Sequence, residues 1–536
     1  MASSGWPWSG VSNAAAKQMG GVTKAEPKSG IDAYLACLSK VDLDQTSSTW
    51  FLFFDMVPAE AVLLGLMGKS GESMPPPETP VIYFHATDAL QSVTMDALGL
   101  KSLDDLAEGS WYVLWLQQGG DRKDAVVGDL YHPDLGFVDG VPEYGDYQIA
   151  QARLLSLPVS SGPKQDLGPL PEFAPSATVG AKTAPPGYTK MATGVTRIML
   201  KRYSIKARRR RLLPVRKVKK PRPPPPPPQP PAISAVGIMD IGQGGFNLLV
   251  DAHHEPLAYF DAGYPLPFFR ASLPPEMLIG GNAFLGPIYQ NAANNLEIIL
   301  SHWDYDHWRF GRFVSNANES LGNLPWTVPT QNLAPSEAQF LQGLNAAGRA
   351  QVLAPGFALQ AGPGNCMIYE CVPAPHAPAA FIRNNSGLAL RFSTWLPVAN
   401  QVLRGVLLTA DANFDSVNAW ARLNLSGIGA VHHGSNNHGA AQNLPVPAGG
   451  AGQAFIGYSY GVSANTGTHA YGFPAAGAVA NYLAAGWTAP REQTTAEGPN
   501  INAGPLAHGN IRMGDQTALP NAYNHTAFFP ITYALS

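Results

Sequence analysis

The segment IILSHWDYDHW, residues 298–308, decides the fold of the C-terminal part of this chain. Its apolar first half predicts a buried strand, and His302, Asp304, Asp306 and His307 follow that strand directly. Burying four imidazole and carboxylate groups together is costly unless a cation compensates them. Nitrogen and oxygen ligands in combination favour Zn, Mn or Fe. The segment therefore predicts a metal site, although a polar turn at the surface is the simpler alternative.

Two later strand ends carry residues of the same kinds. In the segment VLLTADANF, residues 406–414, an apolar strand ends at Asp411. The two carboxylate oxygens of this aspartate can bridge two cations, although a lone aspartate is equally suited to cap a helix. The segment GAVHHGSNNHG, residues 429–439, places His432 and His433 after a short apolar run. One of them can bind metal while the other, or Ser435, supports it or contacts substrate.

The order of these motifs resembles the metallo-β-lactamase fold, and specifically its branch similar to the soluble domain of ComEC-type DNA-uptake proteins. The resemblance runs from residue 235 to about residue 490 and covers neither the first 230 residues nor the last 40. It rests on the opening MDIGQGG (239–245), the DAG turn (261–263), the segment His302–His307, the NNS segment (384–386), the TAD strand end (409–411), the HHGS turn (432–435), and a partial match at Ser459, Gly461, Asn465 and Tyr471–Pro474.

The chain departs from the family pattern at three places. Trp308–Gly311 stands where Gly-Gly usually follows the metal motif, and Ala410 replaces the glycine before the bridging aspartate. Phe473 replaces a late histidine, and His469, four residues earlier, is the candidate substitute. The first and third departures bear on the walls of the site and on substrate-orienting groups.

The resemblance implies an α/β fold of the αββα sandwich type, with two divalent metal ions, Zn or Mn, at the ends of the strands. The implied ligands of the first metal are His302, Asp304 and Asp411. Those of the second metal are Asp306, His307, Asp411 and either His432 or His433. The catalytic residues are predicted to be Asp306, His307, Asp411 and His433. Residues predicted to orient ligands or contact substrate are Asp240, Asp261, Asn385, Ser386, Ser435 and His469.

A two-metal site of this kind predicts a metal-dependent hydrolase, because bound metals lower the pKa of water and neutralise charge on the substrate. Phosphodiester is the preferred substrate class, so a phosphodiesterase or nuclease is expected, acting on nucleic acid or a nucleotide. The resembling branch is associated with DNA degradation, but fold does not fix chemistry. The open alternatives are a hydrolase of a lactone or thioester, and a binding or scaffold protein with a structural or degenerate metal site.

Composition divides the chain into four parts. A separate small α/β or α+β domain of unknown role is expected over 31–155, with helical spacing at 31–40 and 91–107 and strands at 50–57, 80–86 and 111–117. The full division is a flexible N-terminus (1–30), the N-terminal domain (31–155), a linker (156–231) and the hydrolase domain (232–536). In the last part, strands are predicted at 232–242, 246–252, 257–263, 296–301, 388–395 and 402–411, and helices near 276–295, 335–350, 414–425 and 474–486.

The linker is basic and then proline-rich. Residues 201–222 hold 12 Lys or Arg and no acid, and residues 223–228 are all proline, which predicts an extended, solvated spacer. The basic run is either a solubilising flank or a weak grip on nucleic acid. The proline run, or the N-terminal domain, is a candidate surface for a protein partner. The candidate nucleic-acid contacts are Arg208, Arg209, Arg210, Arg211, Lys219 and Lys220.

The composition of the whole chain is that of a globular protein with a net charge of −3. Three cysteines cannot form a disulfide framework, which fits a reducing compartment. The sequence contains no run of 18 apolar residues, so no membrane span is predicted. The N-terminus lacks the pattern of a secretory signal. These features predict a cytoplasmic protein.

Overall fold

The computed structural model shows a mixed α/β protein with several sheets and few helices. The described parts of 31–155 and of 232–514 belong to one compact unit. Helices among the described residues are all too short to span a membrane. The structure describes residues 31–44, 49–59, 80–86, 91–102, 105–119, 127–131, 146–155, 232–239, 241, 243–251, 256–265, 296–313, 321–362, 365–375, 377, 379–394, 404–436, 444–448, 454–460, 473–487, 492–494 and 511–514.

The N-terminal part forms a closed barrel of six strands in the order β1-β2-β3-β5-β6-β4, with every neighbouring pair antiparallel. One described helix, α1 (Gln91–Leu98), precedes β4. Alternate side chains of the strands fill the barrel, among them Leu38, Phe54 and Leu114. The strands are β1 (Ile31–Asp44), β2 (Thr49–Pro58), β3 (Val81–Ala86), β4 (Trp111–Gln118), β5 (Val127–Tyr131) and β6 (Asp146–Leu154).

The strands predicted at 50–57, 80–86 and 111–117 are confirmed. The helix predicted over 31–40 was wrong, because this segment is the first strand of the barrel. Its apolar residues satisfy a helical spacing as well as an alternating one, and pairing with two neighbouring strands decides between them. The helix predicted over 91–107 ends at Leu98.

The C-terminal part contains two seven-stranded sheets. The first has the order β12-β11-β10-β9-β8-β7-β20, and the second has the order β13-β14-β15-β16-β17-β18-β19. The strands of the first are β7 (Ala235–Ile238), β8 (Asn247–Val250), β9 (Pro256–Phe260), β10 (Glu297–Ile299), β11 (Trp326–Pro329), β12 (Ala350–Leu353) and β20 (Ile511–Gly514). Those of the second are β13 (Leu359–Ala361), β14 (Cys366–Glu370), β15 (Leu388–Thr394), β16 (Arg404–Leu408), β17 (Leu425–Gly429), β18 (Phe455–Tyr458) and β19 (Glu492–Thr494).

The inner strands of both sheets are buried on both faces, which explains their nearly continuous hydrophobic sequences. In β9, Phe260 faces a core shared by the two sheets, whereas Tyr259 faces a core that includes α2 (Tyr305–Phe313) and α3 (Pro335–Ala346). In β16, Val406 faces the shared core and Leu407 faces a core that includes α4 (Ala476–Ala484). The shared core therefore lies between the sheets, and helices pack on their other faces.

The predicted strands of this part are confirmed within a few residues, as are the helices near 335–350 and 474–486. The helix predicted at 414–425 was wrong. The structure has two short 3-10 turns there, Phe414–Ser416 and Ala419–Arg422, and the second is capped by the Asn418 side chain, which accepts from Trp420 N. The helix predicted near 276–295 lies outside the described residues, as do residues 1–30 and the linker.

Strand direction brings the candidate site together. β9 to β12 run parallel in the first sheet, and β16 to β19 run parallel in the second. The carboxyl ends of parallel strands lie at one edge of a sheet, which is where α/β proteins place their ligands. The predicted metal residues follow β10, β16 and β17 at these ends, and Asp261, predicted to orient ligands or contact substrate, follows β9.

Candidate metal centre

The metal motif follows β10 into the first turn of α2. His302 and Asp304 lie in the connection, while Asp306 and His307 lie in the helix, and all four are buried. His307 N donates to the Asp304 carbonyl, and this hydrogen bond fixes the tight turn between strand and helix. The short loop therefore directs all four side chains toward the ends of the strands.

Asp411 lies at the centre of the cluster. Its Oδ2 lies 3.7 Å from Nε2 of both His302 and His432, and its Oδ1 lies 3.3 Å from Nε2 of His307. The preceding Ala410 has φ 52, where the resembling family has glycine. This left-handed residue turns the chain sharply after β16 and places the carboxylate among the histidines.

His432 and His433 also have left-handed backbone, with φ 44 and φ 55. Two consecutive non-glycine residues in this region cost about 1–3 kcal/mol each. The bent turn aims the two rings at different carboxylates. His433 Nε2 lies 3.6 Å from Asp306 Oδ2, and His432 Nε2 lies 3.3 Å from Asp42 Oδ2.

The hydrogen bond at Nδ1 of each histidine decides whether Nε2 turns a proton or a lone pair toward the centre. His433 Nδ1 lies 2.6 Å from the Ser459 carbonyl, which can only accept, so Nδ1 carries the proton. In the neutral ring, Nε2 then points an unprotonated lone pair at the Asp306 carboxylate. Among the described residues, His433 Nε2 has no hydrogen-bond donor.

The same reasoning applies to His302 and His307. Asp261 Oδ2 accepts from His307 Nδ1 at 2.9 Å and from Ser301 Oγ at 2.9 Å. Because the Ser301 hydroxyl has one proton and donates it to Asp261, its oxygen accepts from His302 Nδ1. Both neutral rings therefore turn an Nε2 lone pair toward a carboxylate.

Lone pairs that face carboxylates in a buried place repel each other, and a divalent cation between them removes the repulsion. Among the described residues, two sets of three side chains each have ligand atoms within 4.8 Å of one another, namely His302, His307 and Asp411, and Asp306, His307 and His433. Mixed imidazole and carboxylate donors of this kind suit Zn or Mn. The residues present therefore fit a divalent metal.

Charges in the cluster shift the acidity of its members. Burial alone lowers the pKa of His307, but the Asp411 and Asp261 carboxylates raise it well above its ordinary value. Burial favours the neutral form of Asp306, yet the Lys40 ammonium holds the pKa of Asp306 well below its usual range. A metal at the centre would have to displace the proton that this shift retains on His307.

Four residues that the sequence did not single out also surround the centre. Lys40 Nζ lies 2.9 and 2.8 Å from the two carboxylate oxygens of Asp306. Arg383 Nε lies 3.2 Å from Asp304 Oδ1, and its Nη2 lies 2.5 Å from Glu337 Oε1. Glu337 is the third of these residues, and Asp42, which contacts His432, is the fourth. The signal for Lys40 and Asp42 was present, since they interrupt the apolar run LACLSKVDLD at alternate positions.

Other predicted site residues lie around the centre rather than in it. Asn385 Oδ1 accepts from Asn413 N at 2.7 Å and holds the loop after Asp411. Ser386 Oγ accepts from Gln331 Nε2 at 3.0 Å, and Ser435 N donates to the His432 carbonyl at 2.9 Å. The predicted residues outside the described part of the chain are Asp240, His469, Arg208, Arg209, Arg210, Arg211, Lys219 and Lys220.

Replacing Asp261 with asparagine is expected to weaken metal binding by roughly 10–100-fold, as for other partners of ligating histidines. An amide NH₂ facing His307 Nδ1 would move the ring proton to Nε2, which then could not bind metal. Asparagine also tolerates the left-handed φ of 67 at this position. The measurement is competition with a chromophoric chelator, with Asp96→Asn, an exposed residue of α1, as the matched control. Equal affinity in both variants would contradict the orienting role.

Comparison with known proteins adds little. No protein-family model matches this chain, and no curated protein matches it. Among solved structures, the chain is similar to one described as a metal-dependent hydrolase of the beta-lactamase superfamily, at 10% sequence identity and a TM-score of 0.26. That match covers 52% of this chain and 100% of the other. A TM-score this low assigns neither fold family nor activity.

Proposed function

We propose that this chain is a metal-dependent hydrolase with an αββα sandwich of the metallo-β-lactamase type, and that its substrate is a phosphodiester. The observation that carries the proposal is the set of three buried Nε2 atoms, of His302, His307 and His433, that face carboxylates. The branch similar to ComEC-type soluble domains is the one whose motifs match in order. The proposed ligands are His302, Asp304, Asp306, His307, Asp411, His432 and His433.

A divalent cation bound at this centre would lower the pKa of a water molecule and neutralise charge on a phosphoryl oxygen. The protein supplies the rest. Asp261 and the Ser459 carbonyl hold the His307 and His433 rings in the metal-binding tautomer. Lys40 and Arg383 place two positive charges beside the carboxylates, where they can also meet an anionic substrate.

The sequence resemblance implies two metal ions, and the donor atoms support at least one. His302, His307 and Asp411 offer one position. The other position, at Asp306, His307 and His433, is also the place that the Lys40 ammonium contacts. A second divalent metal therefore has to compete with a cation that belongs to the protein.

The proposal is tested with the full-length chain, loaded with Zn or Mn, on labelled single- and double-stranded DNA and RNA. A cyclic nucleotide and bis(p-nitrophenyl) phosphate extend the test to small diesters, because the predicted ligands are all buried. Cleavage is expected with metal and is expected to disappear in the Asp306→Ala/His307→Ala variant.

Failure to cleave any diester, in a sample shown to be folded and metal-loaded, would overturn the phosphodiesterase proposal. Turnover of a lactone or thioester by the same sample would then identify a carbonyl hydrolase. A metal-loaded chain without any hydrolytic activity would instead favour a binding role.

A further inference from the structure

Strand β1 of the barrel delivers two charged side chains to the candidate metal centre. Lys40 and Asp42 are both about 1% exposed, although they come from a region more than 250 residues away in sequence from the metal motif. Lys40 contacts Asp306, and Asp42 Oδ2 lies 3.3 Å from His432 Nε2. The N-terminal barrel is therefore part of the wall of the site.

An irregularity in β1 sets this orientation. The pairing of β1 with β2 shifts register between Leu38 and Lys40, so Ser39 is an extra residue. Before the shift, Ala36 and Leu38 point into the barrel, and after it Val41 does. Without the extra residue, strict alternation would put Lys40 inside the barrel. The bulge re-aims Lys40 outward, as bulges next to functional sites do.

The ammonium occupies a position suited to a metal ion. Besides its two contacts with Asp306, Lys40 Nζ lies 3.7 Å from Asp411 Oδ2 and 3.9 Å from Asp304 Oδ2. Three carboxylates thus surround one buried nitrogen. Asp306 has both oxygens engaged by this ammonium, and the second group of ligand atoms depends on Asp306.

We propose that Lys40 is a resident cation that takes the place of a second divalent metal, so that the folded chain holds one divalent metal, at His302, His307 and Asp411. The inference rests on the metal-binding part of the proposed function. A divalent ion at Asp306 would lie within a few ångströms of the ammonium in a site without solvent screening, and like charges at that separation exclude each other.

The test is the metal content and the zinc and manganese binding isotherm of the full-length chain. The wild-type chain is expected to bind one ion. Lys40→Met, which keeps the length of the side chain without its charge, is expected to bind two, with the second site at least about 100-fold tighter than in the wild type. Lys40→Arg is expected to keep one ion. Lys101→Met, an exposed residue of the barrel part, is the matched control.

Removing Lys40 takes away the ammonium that donates to both oxygens of the buried Asp306 carboxylate, so the variant could fail to fold without metal. The double variant Lys40→Met/Asp306→Asn removes both partners and is expected to return to one ion. Circular dichroism of every sample identifies the folded variants. The number of metal ions bound by the wild-type chain tests the inference independently of any variant.

Two ions per wild-type chain, or one ion in folded Lys40→Met, would overturn the inference while leaving the metal-dependent hydrolase standing. A single ion in the wild type and two in Lys40→Met, without hydrolysis of any diester, would support the inference and overturn the phosphodiesterase. Absence of metal binding in every folded sample would overturn both.

Discussion

Asp411→Asn is expected to lower kcat/KM for any diester substrate by more than the roughly 10–100-fold typical of residues that only support a metal ligand. Asp411 lies within 3.7 Å of His302, His307 and His432, and within the described part of the chain it is the one carboxylate that contacts all three rings. An amide keeps the size of the side chain but removes its charge and one acceptor. The metal should leave together with the activity, as plasma emission spectrometry would show.

The matched control for this prediction is Asp415→Asn. Asp415 is exposed and lies in the 3-10 turn that follows the Asp411 loop. Its replacement with asparagine therefore changes the net charge by the same amount and in the same segment as Asp411→Asn. Full metal content and activity are expected there. Retention of metal and activity by Asp411→Asn itself would show that the centre is assembled from other residues.

Gly263→Ala is expected to destabilise the protein by about 3 kcal/mol, the upper range for forcing extra atoms into a packed place. A Cβ at position 263 would overlap the Asp306 carbonyl, which also accepts a hydrogen bond from Gly245 N at 2.9 Å. The first turn of α2 would have to move, and Asp306 and His307 with it. Thermal unfolding and metal content should therefore fall together.

Gly343→Ala separates this steric effect from the ordinary effect of alanine. Gly343 lies in α3, and a Cβ there meets no atom within 4 Å. Alanine in a helix is favoured over glycine by roughly 0.5–1 kcal/mol, so this variant should be slightly more stable. If Gly263→Ala were as stable as Gly343→Ala, the close approach of the DAG turn to the metal motif would be wrong.

The parts of the fold that the sequence predicted best are the strands with apolar residues on both faces. Strands such as β8, β9 and β16 lie between two cores, so most of their positions are apolar and the run is easy to see. The strand-end carboxylates and histidines were visible for the same reason, since polar residues directly after such runs stand out. The structure brings His302, Asp306, Asp411 and His433 together at that edge.

The N-terminal contribution to the site was not predicted. Residues 31–40 have apolar residues at helical spacing, and nothing local shows that β1 pairs on both sides in a barrel. The bulge at Ser39 is defined only by the partner strand, so the outward direction of Lys40 could not be inferred from alternation. Lys40 therefore fell at the end of the helix predicted over 31–40, and neither Lys40 nor Asp42 was predicted to be a site residue. Contacts between distant segments decided both points.

The hydrogen bond between Lys40 and Asp306 joins residues that are 266 positions apart, and this distance has a consequence for biosynthesis. Chains emerge from the ribosome with the N-terminal part first, and domains fold in that order. The barrel strands β1 to β6 end at Leu154, so they are synthesised before Asp306, Asp411 and His432. If the barrel closes first, the Lys40 ammonium is in place when the acidic cluster folds, and the opposite charges pair at once. Metal binding by incomplete chains would be disfavoured, because His432 and His433 are synthesised after Lys40.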